Sequence, residues 1–244
     1  MELLIVIGII GLLLALTAPA FTSIKGGTDV TSAAYAIKGV LDTARTYAKA
    51  NNSYTWVGFL EENVANSASP NTDTPTVGRL VMSIVASRDG TIIYDPTNLG
   101  QQNLTGSLVQ VGKLTKIENV HLWTHTDAPS GTGDTFDTRP NVGSAFCIGD
   151  VSPANSTTPF GYPVGNPPLT AQYTFVKAIE FSPHGEARIN NGTTTGGAEI
   201  FPRQRVAEIA VEPTHGIALP ASVPRNVVAI QFTGIGASVK IYRR

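Results

Sequence analysis

Hydrophobic and polar positions divide the chain into three stretches of different period. Residues 3 to 21, LLIVIGIIGLLLALTAPAF, carry no charge and are apolar on every side of a helical wheel. Core helices of soluble domains keep a polar stripe, so a segment without one must meet lipid or other helices around its whole circumference. At about 1.5 Å per residue it is long enough to cross most of a hydrocarbon layer of about 30 Å. From Thr31 to Ala50 the period becomes helical. Ala34, Ile37, Leu41, Ala44 and Ala48 share one face, while Lys38, Asp42, Arg45 and Lys49 lie elsewhere. This half predicts a helix packed on a sheet. Between the two, Pro19 lacks an amide donor and the pair Gly26-Gly27 is entropically unfavourable in a helix, so a kink or a melted turn is expected there.

After Asn51-Asn52 the period moves towards 2, and β-branched or aromatic runs alternate with turn formers. The expected strands are 54–60, 79–86, 91–94, 114–124, 145–148, 173–181, 186–189, 206–211, 227–233 and 237–242. Ser182-Pro183-His184-Gly185 fits a type I turn between two of them, with proline second and glycine fourth. A second hairpin is expected around Gly234-Ile235-Gly236. Three stretches, 63–78, 128–143 and 152–170, are rich in turn formers and predict long surface loops. The chain therefore divides into an apolar helix over 1–27, an amphipathic half-helix over 28–51 that packs on the sheet, and a β-rich head over 52–244.

Composition narrows the possible partners. Seventeen basic and eighteen acidic residues leave a net charge of -1, so no global field draws in nucleic acid or an anionic surface. Only 14% of residues are charged, against about 25% in ordinary soluble domains, which predicts a neutral, turn-rich exterior. Cys147 is the single cysteine, so an intrachain disulfide and a cysteine metal cage are both excluded. It is expected to be a small buried hydrophobe. Ala18-Pro19-Ala20 looks like a signal-peptidase site, but the acidic Glu2 stands where such peptides carry a basic region. Glu2 is the informative residue: a carboxylate at the edge of an apolar segment asks for a partner.

Met1-Glu2-Leu3-Leu4-Ile5-Val6-Ile7-Gly8-Ile9-Ile10-Gly11-Leu12-Leu13, followed by Ala18-Pro19-Ala20-Phe21, resembles the start of type IV pilins and of type II secretion pseudopilins. The resemblance rests on the glutamate, the aliphatic run with Gly11, and Pro19 in the family's spacing. TSAAYAIKGVLDTARTYAKANN and IEFSPHGEA resemble parts of the H-type minor pseudopilins. The resemblance implies an α+β fold, a long N-terminal α-helix packed on an antiparallel sheet domain. It further implies a bacterial inner-membrane precursor, cleavage by a prepilin peptidase, methylation of the new amino terminus, and export by pilus assembly machinery. Glu2 would pair with such a terminus on a neighbouring subunit. The family's basic leader, glycine and phenylalanine are missing ahead of Glu2, so about three residues and a leader are expected upstream of Met1.

A search for catalytic chemistry finds no G-x-S-x-G, H-E-x-x-H, phosphate-cradling glycine loop or dinucleotide fingerprint, and neither an enzyme nor a cofactor is expected. His121 and His125 share a face of a predicted strand and read as hydrogen-bonded strand histidines in preference to metal ligands with Asp127. Asp127, Asp134 and Asp137 are weak calcium candidates in a Gly/Thr-rich loop whose spacing is not that of an EF-hand. Glu61-Glu62 reads as a solvated strand end before an acid–base pair, and Trp56 and Trp123 as core residues before sugar or base platforms. Asn155-Ser156-Thr157-Thr158 and Asn191-Gly192-Thr193-Thr194-Thr195 read as polar loops before glycan sites.

The expected function is structural: a subunit of an extracellular type IV pilus-like filament at the cell surface, polymerised with copies of itself through the apolar helix. Glu2, Gly11 and Pro19 are the expected assembly residues, and Gly26 and Gly27 the helix-breaking ones. Two alternatives stand beside it: a minor pseudopilin of a type II secretion system or pilus-tip adapter, and a membrane-anchored surface enzyme or lectin.

Overall fold

The computed structural model describes the backbone of residues 2–64, 77–91, 107–125, 127–150, 160–165, 169, 171–189, 205–220 and 225–244, without the side chains of 2–5, 12 and 14–28. One α-helix, α1 (Glu2–Ala50), is followed by eleven strands: β1 (Thr55–Asn63), β2 (Gly78–Ser87), β3 (Leu108–Leu122), β4 (Cys147–Ile148), β5 (Phe160–Tyr162), β6 (Tyr173–Phe175), β7 (Lys177–Phe181), β8 (Ala187–Ile189), β9 (Ala207–Pro213), β10 (Val228–Phe232) and β11 (Val239–Arg243). Nine of them form one sheet in the order β11-β10-β9-β3-β2-β1-β7-β8, with β4 parallel beside β9, and β5 and β6 pair separately.

This corrects the expected α+β, type IV pilin-like architecture. The chain's described residues are mainly β, a large, mostly antiparallel sheet with a single α-helix. Among the described residues no helix is long and apolar enough to cross a membrane. Nor is α1 partly melted, because its backbone stays helical through Pro19, Gly26 and Gly27. Proline removes one amide donor and glycine adds about 1 kcal/mol of backbone entropy. The aliphatic run ahead of Pro19 and the half-helix after Gly27, held by its packing on the sheet, carry the helix across both.

Strands β1, β2, β7, β9 and β10 are buried on both faces and are largely apolar, whereas β3 and β11 keep exposed polar positions. Val57, Phe59, Leu80, Met82, Ile179, Phe181, Ile209 and Ile230 join Ile37, Leu41 and Ala44 of α1 in the main core. Their strand neighbours Trp56, Val81, Val85 and Ala178 point the other way and meet Phe160, Tyr173 and Phe175 of the small β5-β6 sheet. Gly58 makes that approach possible, since a Cβ there would stand 2.5 Å from the Cβ of Phe175. A third cluster, Phe136, Val227, Ala229 and Tyr242, lies beneath the segment 127–143.

Where the observed strands depart from the expected ones, local geometry explains it. β3 starts six residues before the expected Leu114 and carries a bulge at Asn119, whose φ is 61°. The bulge slips the alternation by one, so Ile117 and Val120 both face the main core, a spacing no period-2 pattern produces. Residues 173–181 divide at Val176 into β6 and β7, which belong to different sheets. Residues 160–162, expected within a loop, form β5. Ser144–Phe146 is a 3-10 turn ahead of β4. In the Ser182–Gly185 turn, the Gly185 amide donates to the Ser182 carbonyl at 2.8 Å, and Gly185 takes a φ of +82° that favours glycine. β10 and β11 pair around Gly234–Gly236. The expected strand 91–94, most of loops 63–78 and 152–170, and both candidate glycan clusters lie mainly or wholly outside the described residues.

Candidate functional site

The candidate assembly surface is the first half of α1, and its character follows from where the head stops holding the helix. Val30, Ala33, Ala34, Ile37, Leu41, Ala44 and Ala48 are all at most 1% exposed against the sheet. Polar contacts fix the same half. Thr55 Oγ1 donates to the Ala44 carbonyl at 3.0 Å, the Ser53 amide donates to the Ala48 carbonyl at 3.0 Å, and Arg243 donates to Thr31 Oγ1. The Thr55 bond lies near the start of β1 and the Arg243 bond at the end of β11, so this half of α1 crosses the sheet from one edge region towards the other.

Nearer the start of the helix the surroundings change completely. Val6, Ile7, Ile9, Ile10 and Leu13 are each more than half exposed. At 100° per residue these five lie within an arc of about 160°, and the exposed Gly8 and Gly11 occupy the opposite side, so exposure runs all round the axis. A Cβ built on Gly8 or Gly11 would meet nothing within 4 Å. Gly11 therefore leaves open room along the helix. Glu2, Pro19, Gly26 and Gly27 lie on the helical backbone, and the surroundings of the Glu2 and Pro19 side chains lie outside the described residues.

The charged residues of the head are mostly used up in internal pairs. Glu61 and Glu62, adjacent in β1, point to opposite sides, which rules out a shared acid–base task. Glu61 accepts from the Leu122 amide at 3.0 Å and lies 2.9 Å from His121 Nδ1. Glu62 accepts from Arg79 and from Lys116, both at 3.0 Å. Neither is a solvated strand end: Glu62 is 4% exposed, and burial pushes the Glu61 carboxyl up despite His121 beside it. For His121, burial is the largest influence and acts downwards, but the Glu61 hydrogen bond together with the charges of Glu61, Glu212 and Asp150 holds the imidazole above its ordinary range.

His121 and His125 are not brought together. β3 ends at Leu122, and His125 sits beyond it, edge-on between Trp123 at 4.5 Å and Phe136 at 5.1 Å, where burial lowers its proton affinity. Trp56 is a core residue as expected, donating from Nε1 to Glu180 at 3.2 Å.

The calcium candidates each face a cation instead. Asp127 forms a two-pronged pair with Arg139 at 2.7 and 2.8 Å, Asp134 pairs with Lys240, and Asp137 lies 3.7 Å from Arg244. Among the described residues no group of three or more His, Cys, Asp or Glu side chains could hold a metal. Arg139 is the centre of this arrangement. It is only 2% exposed, donates from Nε to Glu208 at 2.8 Å and from Nη1 to the Phe136 carbonyl at 2.8 Å, and lies 4.2 Å over the Phe136 ring. Gln231 completes it by donating to Glu208 at 2.8 Å and to the Pro140 carbonyl at 2.7 Å. A stretch expected to be a free surface loop is thereby fastened to β9 and β10. Cys147 is buried nearby, its thiol pushed up to about 12 by desolvation, so it is an inert packing residue.

Sequence reasoning missed Arg139, Glu208, Gln231, Lys177 and the Glu61–His121 pair. One signal was available: Glu208 and Glu212 interrupt the apolar strand AEIAVEP, and in a chain with few charges a strand carboxylate implies a buried partner. Nothing in the sequence points to Arg139 as that partner.

Comparison with known proteins returns no matching family model, no matching curated protein and no matching solved structure. The assignment to type IV pilins and pseudopilins is accordingly withdrawn, since the mainly β architecture does not carry it either. The motifs behind it have simpler causes: aliphatic runs with glycine suit any helix that must be covered on all sides, and Ser182-Pro183-His184-Gly185 is what its turn geometry demands.

Proposed function

We propose that the chain is a structural subunit that associates with copies of itself through residues 3–21 of α1, with the β-rich head turned to solvent at the cell surface. A single observation supports this reading. Within one helix, one face of residues 30–48 is covered by the chain's own sheet, whereas residues 6–11 and 13 are all exposed and together encircle the axis, Val6, Ile7, Ile9, Ile10 and Leu13 on one side and Gly8 and Gly11 on the other. A surface groove would cover one side only; neighbouring copies of the same stem, or lipid before assembly, cover all of it.

Magnitudes decide how much of the stem is needed. Each of these five side chains has roughly half its area still to bury, about 1 kcal/mol apiece, or on the order of 5 kcal/mol together. Association costs an estimated 4 to 15 kcal/mol in lost freedom of motion. The five residues alone therefore only break even, and the remainder of 3–21 must contribute. Surface ion pairs, at about 0 to 1 kcal/mol each, set register more than cohesion. Glu2 is the acid placed to do so.

The test uses the full chain. Wild type is expected to form large particles by sedimentation and electron microscopy, and an Ile7→Asn, Ile10→Asn double variant to remain monomeric with an unchanged urea midpoint for the head. Equal assembly of the variant, or a wild type that stays monomeric in detergent-free buffer, overturns the reading.

A further inference from the structure

Five ionisable side chains, four from different strands and one from the irregular segment after β4, meet where β3 gives up its place beside β9 to β4. Glu61 comes from β1, His121 from β3, Asp150 from the residues after β4, Lys177 from β7 and Glu212 from β9. His121 uses Nδ1 towards Glu61 at 2.9 Å, its Nε2 lies 3.8 Å from Asp150 Oδ2, and it stands opposite Glu212 in the β3–β9 register. Two further contacts hold the segment carrying Asp150. Asp150 Oδ1 accepts from the Thr124 amide at 2.9 Å, and Lys177 Nζ donates to the Gly149 carbonyl. Three carboxylates thus face one imidazole and one amine.

The geometry points to a proton-operated latch: a proton on His121 holds the Gly149–Asp150 segment against the end of β3, and loss of that proton releases it. When ionised throughout, the cluster carries one excess negative charge with His121 protonated and two without. Glu61 and Glu212 cannot respond, because they stand on paired strands and are almost wholly buried. Asp150 can. Its side chain is 34% exposed and belongs to an irregular segment, so the added repulsion is relieved by Asp150 moving out into water.

The other groups around the imidazole set the range of the switch. Burial works against its proton, but the Glu61 hydrogen bond and the charges of Glu61, Glu212 and Asp150 favour it and keep the histidine above its ordinary value. The amine of Lys177 is pushed down by burial, with Glu61 and Asp150 opposing. Release therefore comes as pH rises beyond the ordinary histidine range, and it does not depend on the assembly reading.

Hydrogen exchange at the Thr124 amide tests the latch directly, because Asp150 is its acceptor. In the full chain, protection corrected for intrinsic exchange is expected to fall about fivefold between about pH 5.5 and 8.5, as loss of one partly exposed ion pair implies. Asp150→Asn keeps an acceptor oxygen but removes the charge, so its profile is expected to be flat. The His121 imidazole, followed by NMR, is expected to titrate at lower pH in that variant. A flat wild-type profile, an Asp150→Asn profile with the wild-type slope, or an unmoved His121 titration overturns the proposal.

Discussion

The two halves of α1 are one continuous helix with opposite fates. Residues 30–48 alternate buried and exposed positions at helical spacing and are sealed against the sheet. Residues 6–13 have no such alternation, and their described side chains lie open. Helix formation is therefore not what separates them. A sheet covers one face of a helix, so only a helix with one apolar face can be satisfied inside its own chain. A segment that is apolar all round exceeds what one sheet can cover, and in the proposed assembly copies of the same stem cover the remainder.

The head offers the sharpest way to break this contrast, through buried charge. Arg139→Ala leaves Glu208 without its guanidinium and is expected to cost the head about 3 to 5 kcal/mol, read from the urea midpoint. A loss below about 1 kcal/mol would mean that the segment 127–143 is held by its apolar contacts alone. Next in size is a matched pair on the helix itself. Ile37→Ala, at a position 0% exposed, is expected to cost about 2 to 5 kcal/mol, whereas Ile10→Ala should leave head stability within about 0.5 kcal/mol. Equal effects would erase the distinction between gripped half and free stem.

A smaller effect, about 1 kcal/mol, is expected from pH. The carboxyls of Glu61 and Glu212 are raised by burial, and His121 is raised by Glu61 against burial. Groups raised on folding give stability that is complete below their unfolded values and is lost as pH rises through the folded ones. His125 is lowered by burial and works oppositely, its contribution being lost as pH falls through its folded value. The stability difference between wild type and His121→Gln should therefore shrink from about pH 5 to about pH 8. A difference that grows over that range would reverse the assignment.

The smallest change belongs to the outer side of the gripped half. Lys38 and Asp42 pair at 2.6 Å one helical turn apart, with side chains 37% and 46% exposed. Lys38→Ala should cost about 0.3 to 0.5 kcal/mol and lose that effect in high salt. A larger, salt-independent loss would show that the Lys38 stem is packing rather than pairing.

Much of this molecule follows from local rules that act on near neighbours. Period and turn chemistry located the helix face Ala34, Ile37, Leu41, Ala44 and Ala48, the strands 54–60 and 79–86 to within a few residues, and the turn at Ser182–Gly185, because these depend on spacing and φ/ψ preference. Other features have no local signature. The Asn119 bulge is decided by pairing with β2, and the division at Val176 by the two halves of one apolar run joining different sheets. Pro19, Gly26 and Gly27 did not interrupt the helix, since local penalties of a few kcal/mol yield to an aliphatic run on one side and a half packed on the sheet on the other.

Residues 3–21 could be recognised as needing cover on every side from the sequence alone, because hydrophobicity without a polar stripe is a property of composition and period. Only the folded chain decided which charges meet. Asp127 to Arg139, Glu61 to His121 and Lys177 to Gly149 join residues 12, 60 and 28 positions apart. Such pairings are set by strand order and register, and long-range contacts of that kind leave no trace in the spacing of residues along a chain.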